Sequence, residues 1–242
     1  MKRKAFLIGS PMIEGTSSYL SGVTPDIINM KKHLKSNAGG AWEDGEIEIF
    51  KNPTREDLYN MMIHESYDFV IIQYSGHGFV YKTNGGTILN INSKEIISLI
   101  EIHNWINCPK RYYFIDCCRG IAEDSEFLTR SFSASESYRT YADRIVCRDK
   151  YNKIVEKCEN GTSIIYSCGL NESADEDGLG GIFSLSYFRS VEDTRKVPPN
   201  EYYSIKAVFN MAVARMKNDY PMADQNPVMK PERRIKHFPF KV

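Results

Sequence analysis

Apolar residues along this chain cluster into short blocks, and most of these blocks lack the alternation of a strand with one exposed face. A continuous apolar, aromatic and β-branched run is typical of a buried strand in a parallel sheet. Four such runs predict strands at 4–8, 68–74, 112–116 and 162–168. The segment 46–50 alternates and predicts a short strand, and the tail at 235–239 predicts an edge strand because it ends in Pro239.

Between the strands, apolar residues three and four positions apart predict helices. Helix starts are indicated at Thr24, Thr54, Ser93 and Ser184, and a last helix is predicted over about 204–218. A hairpin is predicted around Asn84-Gly85-Gly86. This alternation predicts an α/β fold, with a mostly parallel, twisted sheet of about six strands and helices on both faces.

The segment from 121 to 160 has no clear apolar period. Its charged and hydroxyl residues predict a long linker loop within one domain that spans 1–242. Seven basic residues lie in it: Arg130, Arg139, Arg144, Arg148, Lys150, Lys153 and Lys157.

Composition narrows the class of protein. The 242 residues are 42% hydrophobic and 26% charged, which is ordinary for a globular protein with a sizeable core. The net charge of +0 argues against nucleic acid or an anionic membrane as a partner, and no run approaches the ~18 apolar residues of a membrane span. The apolar run at the start is too short for a signal peptide, and the 6 cysteines are scattered. We therefore expect a soluble, cytoplasmic protein with reduced thiols.

Two of the buried strands end at residues that can perform chemistry. The strand at 68–74 is followed by Ser75-Gly76-His77-Gly78, and the strand at 112–116 runs into Asp116-Cys117-Cys118-Arg119-Gly120. In an open α/β sheet, ligands bind beyond the carboxyl ends of the strands. If the two strands are parallel neighbours, an imidazole and a thiol meet there as a proton carrier and a nucleophile.

Other interpretations of these residues are open. Free cysteines are often simply buried, and Cys117 rather than Cys118 is a second candidate for the nucleophile. The adjacent thiols could also form a redox-sensing pair, although a disulfide between neighbouring residues closes a strained ring. A zinc site is poorly supported, because the cysteines and histidines lack the paired spacing that zinc sites use.

Together the two motifs resemble those of the caspase-like cysteine peptidases, which include caspases, paracaspases and metacaspases. The pentapeptide 116–120 resembles the caspase pattern Gln-Ala-Cys-Arg-Gly, and 75–78 is similar to the family's Ser-Gly-His-Gly. The resemblance implies the caspase-like fold and a cysteine endopeptidase with a Cys-His dyad. It makes Cys118 the nucleophile and His77 its base, with backbone N–H groups of Gly78 and Cys118 forming the oxyanion hole.

The resemblance also implies a specificity. In metacaspases, an aspartate two residues before the nucleophile and another at the start of the first helix favour a basic residue before the scissile bond. Asp116 matches the first and Asp26 the second, and Ser75 would line the same pocket. Cleavage after Arg or Lys is therefore expected. Asp26 could instead only complement a helix dipole, and metacaspases differ from this chain at Arg119-Gly120.

No metal or organic cofactor is expected for this chemistry. Some metacaspases require calcium, but the acidic loop 172–181 does not have the spacing of an EF-hand. The expected partners are a protein or peptide substrate and an activating protein, and the linker could be cut by the enzyme itself. The resemblance suggests a role in regulated cell death or bacterial defence. The alternative is a catalytically silent interaction module with the same fold.

Overall fold

The computed structural model describes residues 1–82, 85–121, 141–194, 197–198, 201–231 and 233–242. The strands are β1 Arg3–Ser10, β2 Ile47–Lys51, β3 Phe69–Gly76, β4 Gly78–Val80, β5 Thr87–Asn90, β6 Ile96–Ser98, β7 Lys110–Asp116, β8 Gly161–Tyr166, β9 Tyr203–Ser204, β10 Val228–Lys230 and β11 Pro239–Lys241. The helices are α1 Val23–Lys35, α2 Arg55–Met62, α3 Leu99–Trp105, α4 Tyr141–Glu156, α5 Ile182–Asp193 and α6 Ile205–Asp219.

Six strands form the central sheet in the order β10-β8-β7-β3-β1-β2. All neighbours are parallel except β10, which runs antiparallel to β8. The predicted six-stranded, mostly parallel sheet is therefore confirmed. The strands β3 and β7 are direct neighbours, and Ser75 pairs with Asp116 at their carboxyl ends.

The central strands lack apolar–polar alternation because both faces of the sheet are covered. Along β3, Phe69 and Ile71 pack into a core that includes residues of α1, α4, α5 and α6. Val70 and Ile72 pack on the opposite face with residues of α2 and α3. Each fully buried side chain of this size contributes about 1.5–3 kcal/mol, so both faces stabilise the sheet. Among the described residues, no helix is long and apolar enough to cross a membrane.

The predicted linker loop at 121–160 is wrong for its second part, which forms the helix α4. The sequence of this helix shows no clear apolar period because few of its side chains are buried, chiefly Tyr151 and Val155. Hydrogen bonds hold it instead: Arg144 donates to the Lys35 carbonyl at 2.6 Å and Arg148 to the Glu46 carboxylate. The first part of the predicted linker, with Arg130 and Arg139, lies outside the described residues.

Several other predicted strands and helix starts also differ from those in the structure. The tail strand, expected at 235–239, is β11 and pairs with β9 rather than with the central sheet, whose edge is β10. Ser98, not Ser93, caps α3, and its hydroxyl accepts from the Glu101 N–H at 3.3 Å. The helix α5 begins before Ser184, so this residue is not its cap. The predicted hairpin is confirmed as β4 and β5, which β6 extends to three strands.

Candidate active site

His77 and Cys118 lie at matching positions beyond the ends of two neighbouring strands. The parallel register pairs Ser75 with Asp116, and a further parallel bridge pairs Val80 with Ile121. Each of these pairs joins two residues that are 41 positions apart in the sequence. His77 and Cys118 lie between the two pairs and are also 41 positions apart. The Val80 N–H donates to the Gly120 carbonyl at 3.0 Å and holds the two segments together. The structure thus brings the predicted imidazole and thiol to the same edge of the sheet, at matching positions beyond two neighbouring strands.

The two adjacent cysteines differ in their surroundings. Cys117 points into the core on the α2–α3 face and is 2% exposed, while Cys118 is only half-buried. Burial raises the pKa of the Cys117 thiol well above its usual range. Burial also raises the pKa of Cys118, but hydrogen bonds with Ala174 and Ser173 act in the opposite direction. Cys118 is therefore the more accessible of the two thiols.

His77 is held by a backbone carbonyl that has no signature in the sequence. Its Nε2 lies 2.6 Å from the Ser18 carbonyl oxygen, on the loop after β1. A carbonyl only accepts, so Nε2 carries the proton and Nδ1 bears the lone pair. Burial lowers the pKa of His77, whereas the Ser18 carbonyl and the Glu176 carboxylate act to raise it. The backbone beside the imidazole is also fixed, because Tyr74 Oη donates to the His77 carbonyl at 2.7 Å.

Gly78 lies at the start of β4, where its N–H is oriented by the hairpin ladder. The Asn90 N–H donates to the His77 carbonyl, and the Tyr81 N–H donates to the Gly86 carbonyl. Residues opposite one another in an antiparallel ladder alternate between bonded and non-bonded pairs. Gly78 and Leu89 therefore form a non-bonded pair, and the Gly78 N–H is directed away from β5.

Asp26 and Ser75, which the resemblance assigns to one pocket, are in direct contact. The Ser75 hydroxyl donates to Asp26 Oδ2 at 2.7 Å, and the Gly181 N–H donates to Asp26 Oδ1 at 3.2 Å. Asp26 is 1% exposed, although it lies in the first turn of α1. A carboxylate that only complemented a helix dipole would lie at the surface, where it stays hydrated. The buried position favours a role in the pocket over the dipole interpretation.

Asp116 completes an acidic pair with Asp26. Its carboxylate accepts a short hydrogen bond from the Ser184 hydroxyl, and it is 5% exposed. The Gly181 backbone packs so closely that a side chain at this position would collide with Asp116. Burial raises the pKa of both carboxyls, and the charge of Asp116 raises the pKa of Asp26 further. A cation that bound beside the pair would lower both pKa values again, because it favours the charged forms of the two carboxyls.

Glu176 is a third acid near this pair that motif analysis did not select. Its carboxylate accepts from the Ser21 hydroxyl at 3.0 Å and from the Gly22 N–H at 2.8 Å, at the start of α1. Its charge raises the pKa values of Asp26 and Asp116. The only signal in the sequence was the acidic run Asp175-Glu176-Asp177, which is usually a solvated loop.

The loop that carries Glu176 also contacts the candidate nucleophile. The Ala174 N–H donates to Cys118 Sγ at 3.4 Å. The loop is fastened to the segment before β10, where Gln225 donates to the Ser167 carbonyl at 2.7 Å and accepts from the Asp175 N–H at 3.1 Å. This loop therefore closes one side of the cleft around Cys118.

The acidic loop does not fit a calcium site. Glu176 is bonded to the start of α1, while Asp177 accepts from the Tyr220 hydroxyl at 2.5 Å, so the carboxylates do not converge. A calcium ion needs six to eight oxygen ligands around one point. Within the described part of the chain, no three His, Cys, Asp or Glu side chains are grouped to hold a metal ion.

Comparisons with known proteins identify the family and the fold. The family model described as the caspase domain matches residues 2–239. Among solved structures, the chain is similar to caspase-1 from Spodoptera frugiperda, with a TM-score of 0.59 and 15% sequence identity over 95% of this chain and 86% of that chain. No curated protein matches significantly. At this identity the structural likeness establishes the fold alone, and it confirms the predicted caspase-like α/β fold.

Proposed function

Because the chain belongs to the caspase-domain family, a family of cysteine peptidases, we propose that it is an endopeptidase that cleaves proteins after Arg or Lys. The single observation that carries the basic specificity is the buried pair Asp26 and Asp116, which lies beside the strand ends that bear His77 and Cys118. Membership of the family supports proteins as the substrates. The acidic side chains of the pocket support a basic residue before the scissile bond.

The proposed reaction begins with a neutral dyad. Nδ1 of His77 takes the Cys118 proton as the sulfur attacks the scissile carbonyl, and the imidazolium then protonates the leaving amine. The resulting thioester is hydrolysed by water, which His77 activates in the same way. The lowered pKa of His77 and the raised pKa of Cys118 favour the uncharged forms before attack. Proton transfer therefore accompanies the attack of the sulfur on the bound substrate rather than preceding it.

Two backbone N–H groups are proposed to stabilise the oxyanion, those of Gly78 and Cys118. The orientation of Gly78 away from β5 supports this assignment. Losing one donor of an oxyanion hole in other enzymes lowers the rate by ~10²–10³. The reaction uses only groups of the chain and water.

Substrate selection follows from charge. A guanidinium or ammonium entering the pocket would be paired with Asp26 and Asp116, with Glu176 adding to the negative potential. An acidic side chain would be repelled by the same groups. The raised pKa values of the pair would fall when the cation binds, so binding of a basic residue favours the release of protons from these carboxyls.

The second candidate is a catalytically silent interaction module with the caspase-like fold. One observation favours it: Cys118 Sγ lies against the Ala174 backbone, and both pocket carboxylates are buried. A substrate must therefore displace or align with the 172–181 loop before attack. An enzyme that awaits activation by a partner or by cleavage would have the same closed cleft.

The test is hydrolysis of fluorogenic peptides that end in Arg, Lys or Asp, with and without calcium. Cys118→Ala should abolish turnover, and Cys117→Ala is the matched control that should retain it. Cleavage after Asp would overturn the acidic pocket but keep the enzyme. If no peptide is cut, labelling of Cys118 by a peptide chloromethyl ketone that ends in Arg would support an inactive precursor, and its absence a silent module.

We place this activity in the reducing cytosol. All 6 cysteines are free thiols, and 4 of them are buried, which suits a compartment without disulfides.

A further inference from the structure

The loop that presents the Ser18 carbonyl to His77 is compact and closed by its own backbone. It leaves the sheet after β1, and the Leu20 N–H returns to the Pro11 carbonyl at 2.9 Å. Within it, the Thr16 N–H donates to the Ile13 carbonyl at 3.2 Å. Compact loops of this kind pack against their own residues. The position of Ser18 is therefore set by the two ends of the loop, at Pro11 and Met12 on one side and at Ser21 and Gly22, which bond Glu176, on the other.

Asn52 holds this attachment point with both ends of its side-chain amide. The Met12 N–H donates to Asn52 Oδ1 at 3.1 Å, and Asn52 Nδ2 donates to the Met12 carbonyl at 3.1 Å. Asn52 itself follows the edge strand β2 and is fixed to the sheet, because its N–H donates to the Gly9 carbonyl at 2.9 Å. One side chain thus satisfies both backbone groups of Met12 and ties the loop to a rigid element.

The backbone at both residues is unusual. Met12 has φ of +66° and Asn52 has φ of +46°, in the left-handed region. Asparagine enters this region readily, but for methionine it is unfavourable and persists only when the surroundings enforce it. The paired hydrogen bonds from Asn52 provide that enforcement. Without them, Met12 can relax to negative φ, which redirects the chain that leads to Ser18.

We propose that Asn52 is a positioning residue for catalysis, because it fixes the loop whose Ser18 carbonyl orients the imidazole of His77. The inference rests on the proposed function for its catalytic meaning. The contact path runs from Asn52 to Met12, through the closed loop to Ser18, and from the Ser18 carbonyl to Nε2 of His77. If the carbonyl moves away, Nε2 loses its acceptor and the ring loses its fixed tautomer and orientation.

Losing the contact with the Ser18 carbonyl would shift the pKa of His77 in a definite direction. The Ser18 carbonyl favours the protonated imidazole, so its loss lowers the pKa of His77 below the already lowered value of the intact protein. Other titratable groups that face this region are Glu176 on the acidic loop, Cys118 beyond β7 and Tyr19 on the same loop as Ser18. The hydrogen bonds of the Asn52 side chain go to Met12 and not to these groups, so the substitution changes none of them directly, and Tyr19 moves only with the loop that carries Ser18.

The experiment uses Asn52→Gly, which keeps the left-handed backbone and removes only the side-chain clamp. Asn107→Gly is the matched control, since the Asn107 amide bonds Ser66 at 2.8 Å at the other end of the sheet. The first readout is the NMR titration of His77 in the full chain carrying Cys118→Ala, assigned with a His77→Gln spectrum. We expect a lower His77 pKa in Asn52→Gly and no change in Asn107→Gly.

The second readout is peptide hydrolysis in the Cys118 protein. We expect kcat to fall about tenfold or more with KM little changed, and the acid limb of kcat/KM to move to lower pH. An unchanged His77 titration in Asn52→Gly would overturn the proposal, as would a chain that no longer folds. If the wild-type protein cleaves no peptide and the chloromethyl ketone does not label Cys118, the proposed function fails, but the imidazole titration still decides the role of Asn52.

Discussion

Replacing Asp26 by asparagine tests the acidic pocket most directly. Asparagine keeps the shape of the side chain and one oxygen that can accept from the Ser75 hydroxyl, now 2.7 Å from Asp26 Oδ2. It removes one of two buried carboxylates, so a bound guanidinium keeps only Asp116 as a charged partner. Substrates with an uncharged residue at the same position lose no ion pair.

The size of the effect follows from the burial of this pair. Removing one partner of a buried, hydrogen-bonded charge pair costs about 2–5 kcal/mol. Because Asp116 remains to pair the cation, the lower end applies, and about 2 kcal/mol corresponds to a decrease of about 30-fold in kcat/KM for an Arg substrate. The loss should appear in the binding of the basic residue and spare the chemical step at Cys118.

The assay compares two fluorogenic peptides that differ only in arginine or its uncharged isostere citrulline. The wild-type protein should prefer arginine, and Asp26→Asn should reduce that preference by the same factor of about 30. Asp44→Asn is the matched control, because it removes an exposed carboxylate at the opposite end of the strands, where Asp44 pairs with Lys35 at 2.8 Å. An unchanged arginine-to-citrulline ratio in Asp26→Asn would refute the pocket, even if total activity fell.

Three other predictions follow from the described contacts. Tyr74→Phe leaves two buried carbonyls without their hydroxyl donor and should lower the free energy of unfolding by about 1–3 kcal/mol in denaturant titrations; a negligible change would contradict this account. If the enzyme processes itself, mass spectrometry should find no cut after Arg144 or Arg148, because both residues lie in α4 and their side chains are hydrogen-bonded to the rest of the domain. A cut at either residue in the folded protein would contradict the assigned helix. Burial raises the pKa of Asp26 and Asp116, so the folded state holds their protons more tightly than the unfolded state. Their contribution to stability is present below the unfolded pKa and is lost as pH rises through the raised values, and Asp116→Asn should flatten this pH dependence in unfolding curves.

The sequence determined the central sheet and the edge of that sheet at which His77 and Cys118 lie. Continuous apolar runs identified β1, β3, β7 and β8, because strands covered on both faces need apolar side chains at every position. The glycine-flanked His77 and the Asp116–Gly120 motif follow two of these strands directly. Parallel neighbours end at the same edge, so the position of His77 and Cys118 at one edge of the sheet could be predicted without coordinates.

Elements held by polar contacts rather than by apolar periodicity could not be predicted in this way. The helix α4 buries few side chains and is held through Arg144 and Arg148, so its sequence looks like a loop. The edge strand β10 is only three residues long, and no sequence pattern predicted it. Both elements depend on partners distant in sequence.

Only the tertiary structure decided how the site is supported. The carbonyl of Ser18 has no side-chain signature, and its contact with His77 depends on the path of a loop fixed by Asn52. Glu176 acts on the pKa of Asp26, although the two residues are 150 positions apart in the sequence. Side-chain type is written in the sequence, but the desolvation and mutual repulsion that set the pKa values of buried carboxyls arise only when the folded chain brings them together and excludes water.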